Sequence, residues 1–261
     1  MTEEIKNTIK RWNKHAKRYD AWYETFHGAV ENHVDWQILK QYLPKNKNAK
    51  ILDAGGGTGR IALPLAKMGY NVTLCDISPG MLKVARQKLQ KEGLTDKVHV
   101  EECDVHKLHY ADETFDFVLC WDGIIEAAKQ LTRVTKKGGT LSMYLFNKCG
   151  AAINKFPEDP ESALALLRTK PSYLHDEEEK HVTVTPEEAR EHFEKQGIKV
   201  INIYAVCGML KLLSIPKKIQ ESNTWDEKLF KQTTEMLLNL SKEPSIQGFA
   251  RHLLLYGKRI S

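Results

Sequence analysis

The 261-residue chain has no long apolar run, no paired cysteine motif, no internal repeat and no tract of low complexity. Its most apolar stretch, Ala205 to Leu213, falls far short of the ~20 residues a membrane helix needs and contains Lys211. No membrane association is expected. The N-terminal Met1-Thr2-Glu3-Glu4-Ile5-Lys6 lacks the basic-then-apolar pattern of a secretory leader. The five cysteines (Cys75, Cys103, Cys120, Cys149, Cys207) form no C-x-x-C pair and leave one over, so reduced thiols and a cytoplasmic location are expected. No Cys or His spacing resembles a closed four-ligand site, and no metal is expected. A strong excess of one charge is also missing. The net charge of +5 permits nucleic-acid binding without requiring it, and an ordinary solvated surface accounts for it.

What is present is a globular composition, 41% hydrophobic and 28% charged, in a chain long enough for one large α/β domain. Residues 1–48 read as a helical cap. Trp12, His15, Ala16, Tyr19, Trp22 and Tyr23 recur at helical spacing as an aromatic face, opposite Lys10, Lys14, Lys17 and Arg18. His27-Gly28 is expected to break that pattern before a second helix runs to Pro44.

From Ala49 short apolar runs alternate with helical ones. Strands are expected at Lys50–Asp53, Asn71–Cys75, Val98–Glu101, Phe115–Cys120 and Leu141–Leu145, with helices at Arg60–Met68, Gly80–Glu92 and Ile124–Thr135. Such alternation means βαβ units and a parallel sheet covered by helices on both faces. Residues 149–184, with Pro157, Pro160, Pro171 and the acidic run Asp176–Glu179, read as an insertion holding one helix, Glu161–Thr169. Thr185-Pro186-Glu187-Glu188 is a helix start, with an N-cap, a proline at the first helical position and an acidic first turn. A strand at Lys199–Val206 follows. A second insertion, 209–248, carries an amphipathic helix from Trp225 to Leu240, and the last strand is His252–Tyr256. The expectation is a single domain over 1–261, with the two insertions closing as a lid.

The decisive segment is Ile51-Leu52-Asp53-Ala54-Gly55-Gly56-Gly57-Thr58-Gly59-Arg60. An apolar strand enters a turn whose glycines let the backbone bend tightly and approach a ligand. Gly57-x-Gly59-x-x-Ala62 also satisfies a dinucleotide fingerprint. Asp53 tilts the choice, because a carboxylate in the mouth of the turn repels a pyrophosphate and suits the ammonium of S-adenosylmethionine (SAM). The absence of a separate substrate domain points the same way. Asp76 ends the second strand 17 residues past Gly59, where a carboxylate can accept both ribose hydroxyls. Ile77 and Met81 are placed to sandwich an adenine. Asp104, followed by Val105, is placed to accept from its amino group. Trp121 and Asp122 leave the fourth strand at the sheet edge where ligands bind in open α/β sheets.

These residues together resemble the class I SAM-dependent methyltransferases, of the UbiE-like branch. The stretch Ile51 to Gly59 resembles the first motif, Asp76 the acidic residue after the second strand, and Gly138-Gly139 the turn before the fifth. The resemblance implies a Rossmann-like α/β fold, a seven-stranded, mostly parallel sheet with an antiparallel last strand, and SAM as cofactor. A narrower likeness is to the bacterial tRNA 5-carboxymethoxyuridine methyltransferases. It rests on Asp53–Gly57, Leu74–Ser78, Leu141–Gly150 and Lys242-Glu243-Pro244. The chain departs from them in a shorter segment from Trp121 to Gly138. It also has Glu31-Asn32 where an arginine for the methionine carboxylate is expected.

Methyl transfer needs position and a dry pocket more than acid–base chemistry. A carboxylate acceptor needs no base; for other acceptors Asp122, Tyr19 and His27 are the candidates. Tyr19, Tyr23, Trp121, Phe146 and Asn147 are the expected substrate-side residues. The favoured acceptor is a small molecule. The alternatives are tRNA, held by the cap helix and Lys211, Lys217 and Lys218, and a SAM-binding protein without transfer. A dehydrogenase ranks last. A monomer or homodimer is expected.

Overall fold

The computed structural model describes residues 3–121, 124–175 and 180–261. Helices α1 (Glu3–His15) and α2 (Phe26–Lys40) open the chain, joined by a 3-10 turn at Tyr19–Glu24. The break therefore precedes His27-Gly28. Thr25 caps α2 by accepting the Gly28 N–H at 3.1 Å, so Gly28 sits inside its first turn. A Cβ at Gly28 would lie 2.1 Å from the Trp22 carbonyl oxygen, so this glycine permits close packing and does not end a helix.

The alternating region follows as β1 (Lys50–Ala54), α3 (Ala62–Lys67), β2 (Asn71–Asp76), α4 (Pro79–Lys91), β3 (Val98–Glu102), β4 (Phe115–Cys120), α5 (Ala128–Val134) and β5 (Thr135–Asn147). Along β1, Ile51 packs into the core on one face of the sheet and Leu52 into the core on the other. That is the period-two alternation of a strand buried on both sides. The rest of the chain forms α6 (Lys148–Lys155), α7 (Pro160–Arg168), β6 (Ser172–His175), β7 (Lys180–Val184), α8 (Pro186–Glu194), β8 (Ile198–Val206), α9 (Lys217–Gln220), α10 (Glu227–Leu240), α11 (Pro244–Gln247) and β9 (His252–Arg259).

Strands β3-β2-β1-β4-β5 run parallel in that order, and β9 pairs antiparallel with both β5 and β8. This is the expected mostly parallel sheet with an antiparallel last strand. Two further strands bring the sheet to nine among the described residues: the β6–β7 ribbon joins through β7, which pairs with the end of β5 at Phe146↔Thr183 and Asn147↔Val184. The first insertion is thus a helix pair plus a ribbon. The second does not cover the sheet edge. Its α10 packs on α2, with Phe230 and Trp225 edge-on to Phe26. Among the described residues no helix is long and apolar enough to cross a membrane.

The helix start expected at Thr185 is present, and the structure completes it as a capping box: Thr185 and Glu188 exchange side-chain and backbone hydrogen bonds. Glu188 also receives the nearly buried Lys148 at 2.7 Å and Lys170 at 2.9 Å, tying α6 and α8 to the residues before the ribbon. Burial pushes its carboxyl up, but Lys148, Lys170 and the Thr185 N–H overcome this and hold it at about 2. A depressed carboxyl stabilises the fold fully above its free value and loses that contribution as pH falls through the folded one. Glu188→Gln is therefore expected to cost about 2 kcal/mol at pH 7 by leaving Lys148 buried beside an amide. The deficit should shrink as pH falls from about 4.5 towards about 2, measured by urea unfolding across that range.

Candidate functional site

A cavity of about 1030 Å³ lies at the carboxyl ends of β1 to β4. Its floor is the glycine turn. Gly55 and Gly57 have φ of 70° and 53°, a left-handed conformation, and both face the cavity. A Cβ at Gly57 would meet only Asp76 Oδ2, at 3.9 Å, so a ligand can reach the backbone there. Gly56 also faces the cavity, but a Cβ on it would sit 2.7 Å from the Asp53 carboxyl. Gly59, φ 77°, faces Leu74 and Ala85 in the core and is no part of the cavity wall.

Asp53 is buried beneath the turn, where Oδ2 accepts the Ala62 N–H at 3.1 Å. Burial pushes it up to about 7 against the pull of Arg60 and that N–H. Asp76 closes the turn from β2: Oδ2 accepts the Gly57 N–H at 2.9 Å and Oδ1 the Ser78 N–H at 2.8 Å. Burial raises it as well. Ile77, Met81 and Val105 supply apolar wall beyond Asp76. Asp104 lines the same end, but its Oδ1 is taken by the backbone N–H and the ring of His106, both at 2.9 Å.

Arg60, the residue after the last glycine, was not singled out from the sequence, yet it governs the other end. Its guanidinium is nearly buried, donates to Asn32 Oδ1 at 2.9 Å, and lies 3.9 Å from Asp35 Oδ2. It sits over the Tyr23 ring at 4.6 Å and near Trp121 at 5.8 Å. Burial works against its charge, but Tyr23, Tyr19 and Asp35 outweigh that and keep it protonated. Asn32 thus stands on α2 where an arginine is expected and holds an arginine that comes from the glycine turn.

The N-terminal elements roof the cavity. Ile5, Thr8 and Trp12 of α1 and Tyr19 of the 3-10 turn face it, so the aromatic face is pocket wall more than buried core; Trp22 is 46% exposed. Two latches hold the roof. Asn13 Oδ1 accepts the Gly80 N–H at 2.6 Å and the Ser78 hydroxyl at 2.9 Å. Asp20 accepts the Thr58 hydroxyl at 2.8 Å and pairs with Lys88 at 2.9 Å. The ribbon supplies the last wall through His175, Lys180 and His181, and no described residue of 209–248 lines the cavity.

Several expected site residues stand elsewhere. Asn147 is fully buried, its amide donating to the Gln247 and Ala250 carbonyls at 2.6 and 2.7 Å, which makes it a structural clamp. His27 is paired with Glu31 at 3.0 Å, its ring tilted against Trp22, and it stands outside the cavity wall. Tyr23 lies against Arg60, and Phe146 stacks behind His181; neither lines the cavity itself. Trp121 and Tyr19 do face the cavity. Asp122 lies outside the described residues. Among the described residues no cluster of His, Cys, Asp or Glu has a metal-binding arrangement.

A glycine turn, a carboxylate ending β2 and a nearly buried arginine opposite them thus stand together at the carboxyl edge of a Rossmann-like sheet. Residues 51–139 match the family described as "Methyltransferase domain". The chain is 31% identical over 137 residues to the tRNA 5-carboxymethoxyuridine methyltransferase of Escherichia coli (strain K12), spanning 49% of this chain and 52% of that one. It is 32% identical over 111 residues to the ubiquinone/menaquinone biosynthesis C-methyltransferase UbiE of Pectobacterium atrosepticum, spanning 39% and 44%. The chain thus spans about half the length of the curated relatives it matches. The crystal structure of an S-adenosylmethionine dependent methyltransferase from Mesorhizobium loti superposes with a TM-score of 0.58 at 14% identity, covering 88% of this chain and all of that one. The matched segment and the superposed structure share the Rossmann-like α/β fold described above.

Proposed function

We propose that the protein transfers a methyl group from SAM to a small-molecule acceptor enclosed in the same cavity. The observation that carries this reading is the cavity's extent. At about 1030 Å³ it reaches the upper limit of single-ligand pockets, running from Asp104 and Val105 past the glycine turn to Trp121 and the ribbon. That leaves room for a second molecule beyond the cofactor, beneath the roof of α1 and the 3-10 turn.

The residues fit the cofactor by their chemistry. Asp76 is positioned for the ribose hydroxyls, Ile77, Met81 and Val105 for the adenine faces, and Asp53 for the ammonium. Arg60 replaces the expected helix arginine as the partner of the methionine carboxylate. When bound, SAM supplies an electrophilic methyl on a sulfonium. The chain's part is to orient and desolvate: Trp121 and Tyr19 offer aromatic walls on which a flat acceptor stacks, and the ribbon closes the far side.

The test is incubation with methyl-tritiated SAM and, separately, a metabolite extract and total tRNA. Label in the small-molecule fraction alone is the expected result. Label in tRNA would establish the second reading, which has its own support: Lys10, Lys14, Lys17 and Arg18 form an exposed basic face on the roof, and one relative is named for tRNA. On that reading tRNA affinity should fall steeply between about 50 and 200 mM salt. No label in either pool would leave a SAM-binding protein without transfer.

A further inference from the structure

One cluster at the cavity edge has no part in methyl transfer. Cys103 follows β3, faces the cavity beside Asp104 and Val105, and anchors its N–H on the Asp76 carbonyl at 3.0 Å. Its Sγ lies 3.5 Å from His109 Nδ1, and His109 Nε2 lies 3.1 Å from Glu101 Oε2. The other Glu101 oxygen accepts the Tyr110 hydroxyl. Arg133 clamps the loop that carries the imidazole, donating to the Tyr110 and Leu108 carbonyls at 2.7 and 2.8 Å. A thiol, an imidazole and a carboxylate in series, the base oriented by the acid, is the arrangement that activates a cysteine. On its other side Cys103 meets the buried thiol of Cys75, which β2 places level with Glu101 of β3.

We propose that Cys103 and Cys75 form a peroxide-oxidisable dithiol at the adenine edge of the cofactor cavity, with His109 as the base that activates Cys103. The groups facing Cys103 are Cys75 from β2 and His109 and Tyr110 from the clamped loop, with Glu101 of β3 behind His109 and Tyr110. The Cys75 thiol, and after it the His109 imidazole, bring the Cys103 thiol down to about 6 against the opposing effect of burial. Cys75 is pushed well up, by Cys103 and by burial, and remains a thiol.

The chemistry has two steps. The Cys103 thiolate attacks a hydroperoxide; an S–O bond forms, the O–O bond breaks, and the leaving hydroxide takes up a proton as water. Sulfur has lost two electrons and the peroxide has gained them. The Cys75 thiol then attacks the sulfenic sulfur; the S–S bond forms, the S–O bond breaks, and the hydroxide leaves with the thiol proton as water. The bridge ties the end of β2 to the segment before Asp104 and Val105, and so alters the adenine wall.

The experiment uses the full chain, with iodoacetamide as the thiol probe and peptide mass mapping as the readout. Three results are expected. The alkylation rate of Cys103 should titrate with a midpoint near pH 6, and His109→Ala should move it up towards the ordinary ~8.5. Hydrogen peroxide should remove Cys75 and Cys103 together from the thiols that iodoacetamide alkylates once the treated chain is unfolded in denaturant, yielding a linked peptide pair lighter by two hydrogens, before Cys149 or Cys207 changes. Cys75→Ser should stop the reaction at a sulfenic acid that dimedone traps on Cys103. A midpoint near 8.5 in the unaltered protein would overturn the proposal, as would oxidation that starts at Cys149 or Cys207, or no dimedone adduct in Cys75→Ser. Binding of S-adenosylhomocysteine, followed separately by thermal shift, should slow the alkylation of Cys103 at least tenfold. Unslowed alkylation in protein shown to hold the ligand would overturn the placement of the dithiol at the cofactor edge.

Discussion

Arg60→Ala is expected to weaken S-adenosylhomocysteine at least a hundredfold while leaving the chain folded. Truncating one member of a desolvated, hydrogen-bonded charge pair costs about 2–5 kcal/mol, and among the described residues Arg60 is the arginine that lines the cavity. The fold should survive. Burial already pushes Asp35, the carboxylate facing Arg60, up to about 7, so it can take up a proton when the guanidinium is removed. Arg60→Lys keeps the charge but loses the planar fork held by Asn32, and a tenfold weakening is expected. Titration calorimetry with S-adenosylhomocysteine measures both. A change under threefold in Arg60→Ala would show that the carboxylate is held elsewhere.

Asp76→Asn is expected to weaken the same ligand by roughly 30- to 150-fold, about 2–3 kcal/mol, through the ribose. Each Asp76 oxygen already accepts one backbone N–H, from Gly57 or Ser78, and has one lone pair left for a hydroxyl. An amide turns one oxygen into a donor. It cannot accept a ribose hydroxyl there, and it sets an N–H against a backbone N–H. Adenosine alone separates the two variants: Asp76→Asn should lose its binding, while Arg60→Ala should retain it, because adenosine has no carboxylate. Equal loss in both variants would mean a collapsed turn.

The first four strands and the glycine turn were legible because their signals are local. Ile51-Leu52 alternates between the faces of a buried strand, and Asp76 follows Gly59 at a spacing set by one helix and one strand. The β6–β7 ribbon was not legible. Ser172–His175 is too short to show a period, and the prolines and acidic run around it read as loop. Gly28 carries the residue type of a breaker, but its reason is a tertiary one, the Trp22 carbonyl. Asn147 leaves a strand at the right edge, yet its amide turns back to clamp the Ala250 carbonyl, a partner 103 residues away. Arg60 was hidden for the same reason: only the fold brings Asn32 and Asp35 of α2 to it. The departure seen at Glu31-Asn32 was the one available signal, since an arginine missing from α2 invites a search for a cation on a neighbouring element.

The central claim is that this cavity holds SAM, and thermal unfolding with S-adenosylhomocysteine tests it most directly. At a ligand concentration near a hundredfold over its dissociation constant, linkage predicts about 2.7 kcal/mol of stabilisation, a rise of roughly 5–10 °C for a chain of this size. A rise of that order with S-adenosylhomocysteine and none with NADH is the predicted result. No shift at saturating S-adenosylhomocysteine, or an equal shift with NADH, would contradict the account.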